Sequence, residues 1–186
     1  MKQKQTQRRL LLYANFIHIF GLSILAPIYA LYGLKLGATP WQIGASWGLY
    51  NLIAGLGNII VGRWIDGTGR DRLFVVSGYF LTIIGIMLFL IAKTPRDLYI
   101  IQSVSALGLA LYMPAWKALY TRCANRNKLA SQWGLFDGSN MIAMAGAALI
   151  AGYLANINKY TLLFVVIIGL YAISTLLALR IKARAV

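Results

Sequence analysis

Two long apolar stretches of the chain are joined by Gly62-Arg63-Trp64-Ile65-Asp66-Gly67-Thr68-Gly69-Arg70-Asp71-Arg72. A glycine such as Gly69 allows the backbone to turn where a Cβ atom would clash. The arginines around it suit the anionic surface of a membrane. The segment therefore predicts a tight hairpin between two membrane-spanning helices.

The composition places the whole chain in a membrane. Of its 186 residues, 60% are hydrophobic and 12% are charged, with no glutamate and a mean hydropathy of +0.69. A soluble domain of this size could not bury so much apolar surface, and runs of about 20 apolar residues are typical of transmembrane helices. We predict an all-α, polytopic membrane protein, with residues 1–186 forming a single six-helix domain. The six spans are Leu10–Leu34, Trp41–Ile65, Leu73–Ala92, Leu98–Tyr120, Trp133–Leu154 and Tyr160–Leu179.

The net charge of +14 is unevenly distributed, and its distribution predicts the topology. If the N-terminus is cytoplasmic, fourteen Lys and Arg residues fall inside and four fall outside. This bias is typical of cytoplasmic loops, so both termini are expected in the cytoplasm and nucleic-acid binding is disfavoured. The inside residues are Lys2, Lys4, Arg8, Arg9, Arg63, Arg70, Arg72, Lys117, Arg122, Arg126, Lys128, Arg180, Lys182 and Arg184; the outside residues are Lys35, Lys93, Arg96 and Lys159.

Three short sequence matches recur in the same order along the chain, at offsets of 87, 86 and 84 residues. They pair Gly21-Leu22 and Pro27 with Gly108-Leu109 and Pro114, Trp47–Asn51 with Trp133–Asp137, and Ile83–Gly85 with Ile167–Gly169. We predict two repeats of three helices, over about 1–92 and about 93–186. Because three is odd, the second repeat is inverted in the membrane, as in many secondary transporters. The alternative is chance similarity among apolar helices.

Polar and aromatic residues follow one face of helix 1 and the equivalent face of helix 4. At the offset of 87, Asn15 corresponds to Gln102 and His18 corresponds to Ser105. Such groups avoid lipid, so the two faces are predicted to line a path for a small-molecule substrate. The alternative is helix–helix contact, with Tyr and Trp as interface anchors. The predicted path residues are Asn15, His18, Tyr29, Tyr32, Gln102, Ser105, Tyr112 and Trp116.

The ionisable residues within the predicted spans include His18, Lys117 and Asp137. Lys117 and Asp137 have matching depths in consecutive helices, so a salt bridge between them would ease the cost of burial. Histidine ordinarily titrates near neutrality, so His18 is a candidate carrier of a coupling proton, as is Asp137. Alternatively, Lys117 extends to the membrane surface, and His18 only bonds a backbone carbonyl.

Helices 2 and 5 each carry a stripe of small residues on one face. Small residues let helix backbones approach closely, which is a main route to packing in lipid. We therefore predict that both stripes are tight helix interfaces. The stripes are Gly44, Gly48, Asn51, Gly55, Asn58 and Gly62 on helix 2, and Gly134, Gly138, Met141, Ala145, Ala148 and Gly152 on helix 5.

Nothing in the sequence suggests catalysis or a bound cofactor. The spans contain no paired carboxylates and no nucleophile–base arrangement. Cys123 is the single cysteine, so neither a disulfide nor a cysteine metal site is expected. We predict that the protein is not an enzyme and has no cofactor or metal.

The hairpin segment resembles the signature loop between helices 2 and 3 of the major facilitator superfamily. That loop has a glycine, three residues, an aspartate, two residues, a glycine and then a basic cluster. The matching residues, for which the resemblance implies a role in gating, are Gly62, Asp66, Gly69, Arg70 and Arg72. The acidic residue that the family often places at the end of helix 4 is replaced near Arg122, which removes an expected partner of the loop arginines.

The resemblance covers all six spans, which look like the N-terminal half of a family member and most like the drug and small-organic exporters. It implies a secondary active transporter of small molecules in a plasma membrane, the inner membrane in prokaryotes. Family members normally have twelve spans, so a second six-helix half or a second copy is expected as partner, alongside the lipid bilayer. Asp66 is then expected to approach the start of helix 5 of that copy. The alternatives are a truncated transporter fragment and a non-transporting membrane structural or assembly module.

Overall fold

The computed structural model describes residues 2–181, apart from the side chains of Lys2, Gln3 and Arg126. Lys182 and Arg184, which count among the inside charges, lie outside the described residues. The described chain forms six α-helices, a single 3-10 turn at Arg126–Lys128 and no strand. The helices are α1 (Lys2–Lys35), α2 (Pro40–Thr68), α3 (Asp71–Ile91), α4 (Asp97–Cys123), α5 (Leu129–Asn156) and α6 (Tyr160–Leu179). The predicted all-α class is confirmed.

Five of the six described helices are long and apolar enough to cross a membrane. The exception is α2, which has 29 residues and is therefore long enough. Its glycines and two asparagines, Asn51 and Asn58, lower its mean hydropathy. The prediction of six apolar spans is correct for the number of helices, but α2 does not meet the hydropathy expected of a span. The α1 helix also begins earlier than predicted, because the polar residues before Leu10 continue it.

Both ends of α2 are capped by local interactions. Thr39 and Gln42 form a capping box: the Gln42 N–H donates to Thr39 Oγ1 at 3.3 Å, and the Thr39 N–H donates to Gln42 Oε1 at 2.9 Å. At the other end Gly69 has φ +62°, and its N–H donates to the Ile65 carbonyl. This left-handed backbone conformation favours glycine. The predicted hairpin turn is thus confirmed.

The helices pack as two groups that meet along α3 and α6. The first helix packs against α5 and α6, whereas α4 packs against α2 and α3. Two large apolar cores result, with a smaller cluster around Tyr50. One surrounds Ile28, Phe89 and Phe164, and the other surrounds Leu11 and Trp116, nearer the end of the bundle at which α1 begins. We call that end the basic end, since the hairpin arginines lie there.

A close helix crossing joins α3 to α4 through two glycines. A Cβ atom on Gly78 would lie 2.6 Å from the Tyr112 nitrogen and 2.7 Å from the Gly108 oxygen. A Cβ atom on Gly108 would lie 3.0 Å from the Gly78 oxygen. The two backbones are therefore in direct contact, which only small residues permit.

Replacing Gly78 with alanine is expected to destabilise the bundle by about 1–3 kcal/mol, because the added methyl group meets backbone atoms that have no room to move. Gly169→Ala is the matched control, since a Cβ atom on Gly169 has no described atom within 4 Å. Both changes raise helix propensity by about 1 kcal/mol, so the difference reports packing alone. Thermal unfolding in detergent measures it, and equal midpoints for the two variants would contradict the crossing.

Candidate functional site

The eight predicted path residues lie inside the six-helix bundle and separate into groups along its length. Ser105 is partly exposed, and the other seven are buried. Four of them, His18, Gln102, Ser105 and Tyr112, line one cavity of about 30 Å³. We call this cavity the aromatic chamber. The remaining four lie on either side of it along α1 and α4.

The wall of the aromatic chamber is a stack of rings around His18. The imidazole lies between the rings of Tyr79 and Tyr171, with centroid distances of 4.3 and 4.2 Å and nearly parallel planes. The Tyr112 ring meets the imidazole edge-on at 4.8 Å. These four rings come from α1, α3, α4 and α6, so the stack fastens both groups of helices together. Trp47, which is 44% exposed, lines the outer part of the chamber.

The chamber contains polar atoms without partners. His18 Nδ1, Gln102 Nε2 and the Tyr112 hydroxyl are buried and make no hydrogen bond within the described chain. Buried polar groups are nearly always hydrogen-bonded, so these three are suited to a polar guest. A volume of about 30 Å³ holds a water molecule or a small polar group. It is far below the several hundred Å³ of a site for a drug-sized molecule.

The other four path residues connect helices. Tyr29 bonds Ser46 of α2 at 2.5 Å, and the Tyr32 hydroxyl donates to the Phe89 carbonyl of α3 at 2.8 Å. These bonds match the alternative interpretation, in which the polar faces of α1 and α4 form contacts between helices.

At the other side of the chamber, Asn15 donates to Asn140 of α5 at 3.0 Å, and the Trp116 indole donates to the Leu11 carbonyl at 3.2 Å. Asn140 was missed in the sequence, although an amide within a span is itself a signal of a polar partner.

The expected salt bridge between Lys117 and Asp137 is not formed, and both side chains are exposed. The residues just before Lys117 and Asp137 explain why this salt bridge is absent. The rings of Trp116 and Phe136 stack at 4.7 Å and occupy the contact between α4 and α5. Because each residue is rotated by about 100° from the one before it, Lys117 and Asp137 point away from that contact.

The signature residues lie on the surface of the basic end. Asp66 and Arg70 are exposed, and Asp66 forms no ion pair with any described residue. Gly62 is partly buried near Pro114. The Arg72 guanidinium donates to the Leu179 carbonyl at 2.6 Å, so it binds the start of α3 to the end of α6.

An ion pair that the sequence did not indicate joins α3 to α4 at the same end. Arg122 Nη1 lies 2.6 Å from Asp71 Oδ2, and the Asp71 side chain is 4% exposed. Asp71 is the first residue of α3, where the helix dipole also favours an anion. The arginine that replaces the family's acidic residue on helix 4 therefore has its partner within the signature segment. The sequence did contain a signal for this pair. Because α3 and α4 are consecutive antiparallel helices, the start of α3 lies beside the end of α4.

The fold and the site define an all-α, multi-pass membrane protein with an aromatic chamber between two groups of helices. The chain belongs to the Major Facilitator Superfamily, whose family model matches residues 11–185. The family expected from the signature loop is confirmed.

Curated relatives include transporters from archaea and bacteria. An uncharacterised MFS-type transporter of Methanocaldococcus jannaschii is 25% identical over 76% of this chain and 36% of its own length. Multidrug resistance protein MdtH of Blochmanniella floridana is 31% identical over 69% of this chain and 32% of its own. Multidrug resistance protein 1 of Bacillus subtilis is 25% identical over 86% and 41%. The resemblance to drug exporters is confirmed, and the chain spans less than half the length of these relatives.

The Asp71–Arg122 pair is expected to stabilise the bundle by about 1–2 kcal/mol, less than a fully buried pair because Arg122 is 43% exposed. Asp71→Asn and Arg122→Gln should each lower the unfolding midpoint in detergent. The double variant should lose less than the sum of the two, because the second change removes a partner that is already lost. Asp137→Asn, an exposed aspartate without an ion pair, is the control. Strictly additive losses would contradict the pair.

Proposed function

We propose that this chain is one half of a secondary active transporter of small organic molecules, rather than an enzyme, and that it works against a second six-helix unit. The family and the multidrug names of two relatives support transport. The observation that carries the proposal is the pair of glycine faces that the bundle leaves open.

The small-residue stripes of α2 and α5 contain glycines that touch nothing in the described chain. A Cβ atom built on any of them has no described atom within 4 Å, in contrast to the crossing at Gly78. Glycine weakens a helix by about 1 kcal/mol relative to alanine. Packing within this unit does not offset that loss at the six open glycines, because no described atom lies close to a Cβ atom built on them. A second unit in close contact would use them. These glycines are Gly44, Gly48, Gly55, Gly134, Gly138 and Gly152.

The packing supports the inverted repeats, 1–92 and 93–186, as part of the proposal. Exchanging the first three helices for the last three maps the contact of α1 with α5 onto that of α4 with α2. The contact of α1 with α6 maps onto that of α4 with α3 in the same way. An inverted pair of this kind suits alternating access. Both termini are then cytoplasmic, in a plasma or prokaryotic inner membrane.

The substrate path is proposed to run between the two units, with the aromatic chamber as its inner wall. The chamber is too small for a drug-sized molecule, and partly exposed Trp47 and Ser105 are its groups nearest the surface. The alternative, a membrane module without transport, is favoured by the helix contacts of Tyr29 and Tyr32. A transport assay distinguishes the transporter from the membrane module. The assembled protein should move a small organic molecule across the membrane only if it is a transporter.

The proposed second unit is a copy of this chain, with Asp66 near the start of α5 of that copy. Asp66 lies near the C-terminal end of α2, where the helix dipole disfavours an anion, and a helix N-terminus would satisfy it. In a Cys123→Ser background, Asp66→Cys and Ser131→Cys in separately tagged copies should crosslink in native membranes. Leu176→Cys, on the exposed face of α6, replaces Ser131→Cys as the control.

A glycine pair tests the same contact by steric exclusion. Gly48→Leu and Gly169→Leu both place a side chain in open space, so neither should disturb the six-helix unit itself. Gly48→Leu on α2 should abolish the crosslink between copies, whereas Gly169→Leu on α6 should not. Crosslinks confined to one copy, or a strictly monomeric protein that still transports, would refute the arrangement.

Coupling to protons is proposed to involve His18 or Asp137. His18 Nδ1 is unpartnered in the chamber, and Asp137 is exposed on α5. In an assembly that transports, His18→Gln or Asp137→Asn should reduce gradient-driven ethidium accumulation in proteoliposomes to background while leaving exchange intact, because only the driven step needs the proton. Asp97→Asn, at the start of α4 at the opposite end of the bundle, is the control. Unchanged driven accumulation in both variants would remove these residues from the mechanism.

A further inference from the structure

A second cavity, of about 620 Å³, opens at the basic end of the bundle. It lies between the first turns of α1, the end of α4 and the start of α5, away from the aromatic chamber. We call it the basic pocket. Its polar lining includes Lys4, Arg8, Asn125, Lys128 and Ser131.

The cations of the basic pocket have no counter-charge within it. The chain has four acidic residues, and none of them is among the described residues that line the pocket. Asp71 is already paired with Arg122, and Asp97 lies at the opposite end of the bundle. Three cations that converge on one cavity without a carboxylate repel each other unless an anion joins them.

The side chain of Gln132 holds the pocket in shape. It is buried, and its Nε2 donates to the carbonyls of Asn125 and Lys128, both at 3.1 Å. Its Oε1 accepts from the Asn125 N–H and from Arg8 Nη1. Gln132 therefore joins the connection between α4 and α5 to the start of α1.

The Arg8 guanidinium retains donors after this contact. Its Nε is buried and has no hydrogen-bond partner within the described chain. Ser131 and Gln132 of the first turn of α5 line the pocket, and the residue before that helix, Lys128, makes no side-chain cap. A helix start, a fixed guanidinium and two ammonium groups are the donors that a phosphate group accepts.

We propose that the basic pocket binds a phosphate group, supplied by the headgroup of an anionic phospholipid or by phosphate in solution. The chemistry of recognition is the same for both sources. Basic pockets at the cytoplasmic ends of transmembrane helices are suited to anionic headgroups. The exposed side chain of Leu135 in the pocket wall continues onto the apolar surface of α5, where an acyl chain would lie.

The test uses two double variants of the full chain with equal net charge. Lys4→Gln with Lys128→Gln removes two cations of the pocket and leaves the Gln132 contacts in place. Arg9→Gln with Arg180→Gln removes two exposed cations that do not line it. Native mass spectrometry in detergent then measures binding of phosphatidylglycerol, of phosphatidylcholine and of inorganic phosphate. The pocket variant should bind its ligand about tenfold more weakly or worse, and the control should bind like the parent.

The three probes separate the sources. Selective binding of phosphatidylglycerol over phosphatidylcholine, lost in the pocket variant, identifies a lipid headgroup. Binding of inorganic phosphate with the same dependence identifies a soluble ligand. Equal weakening by both double variants would show a general surface charge effect and overturn the proposal, as would the absence of binding by any probe. None of these readings depends on transport.

Discussion

The hydrocarbon core of a membrane has no water, so each backbone polar group of this chain must be bonded within the protein. Six helices meet that demand for the main chain. Side-chain hydroxyls meet it in the same way: Ser23 donates to the Ile19 carbonyl, and Thr175 donates to the Tyr171 carbonyl, one turn back in each helix. Against this background, the unpartnered atoms of His18 and Gln102 are exceptions, which is why the aromatic chamber is a candidate site.

Lipid tails are as apolar as the side chains that they touch, so close packing must supply the attraction between helices. The glycines named here fall into two sets, according to whether another helix packs against them. Gly78 and Gly108 bring α3 and α4 into backbone contact. A Cβ atom built on Gly48 or Gly138 has no described atom within 4 Å. The first set stabilises the unit, and the second set defines the faces on which we propose that another unit packs.

Local signals predicted the helices and their ends, but contacts between helices depended on rotations that no local signal gives. The Gly69 turn follows from a few adjacent residues and was predicted. The failed Lys117–Asp137 pair shows the limit, because matching depth does not specify which side of a helix a residue faces. One residue earlier, Trp116 and Phe136 make the contact instead. The Asp71–Arg122 pair was missed because its partners lie 51 residues apart, on two helices whose rotations no local signal gives.

The contacts between helices at the aromatic chamber and at the basic end indicate how the six-helix unit would move in the proposed transporter. His18 is stacked with rings from α3 and α6 and contacts α4, so separation of these helices would break the whole stack. Arg72 and Arg122 add links from α3 to α6 and to α4. Opening the unit internally would break all of these contacts at once, whereas rocking it against a second unit breaks none. In the transporter that we propose, alternating access by rigid-body rocking therefore requires a partner surface, and α2 and α5 carry the open glycine faces proposed for it.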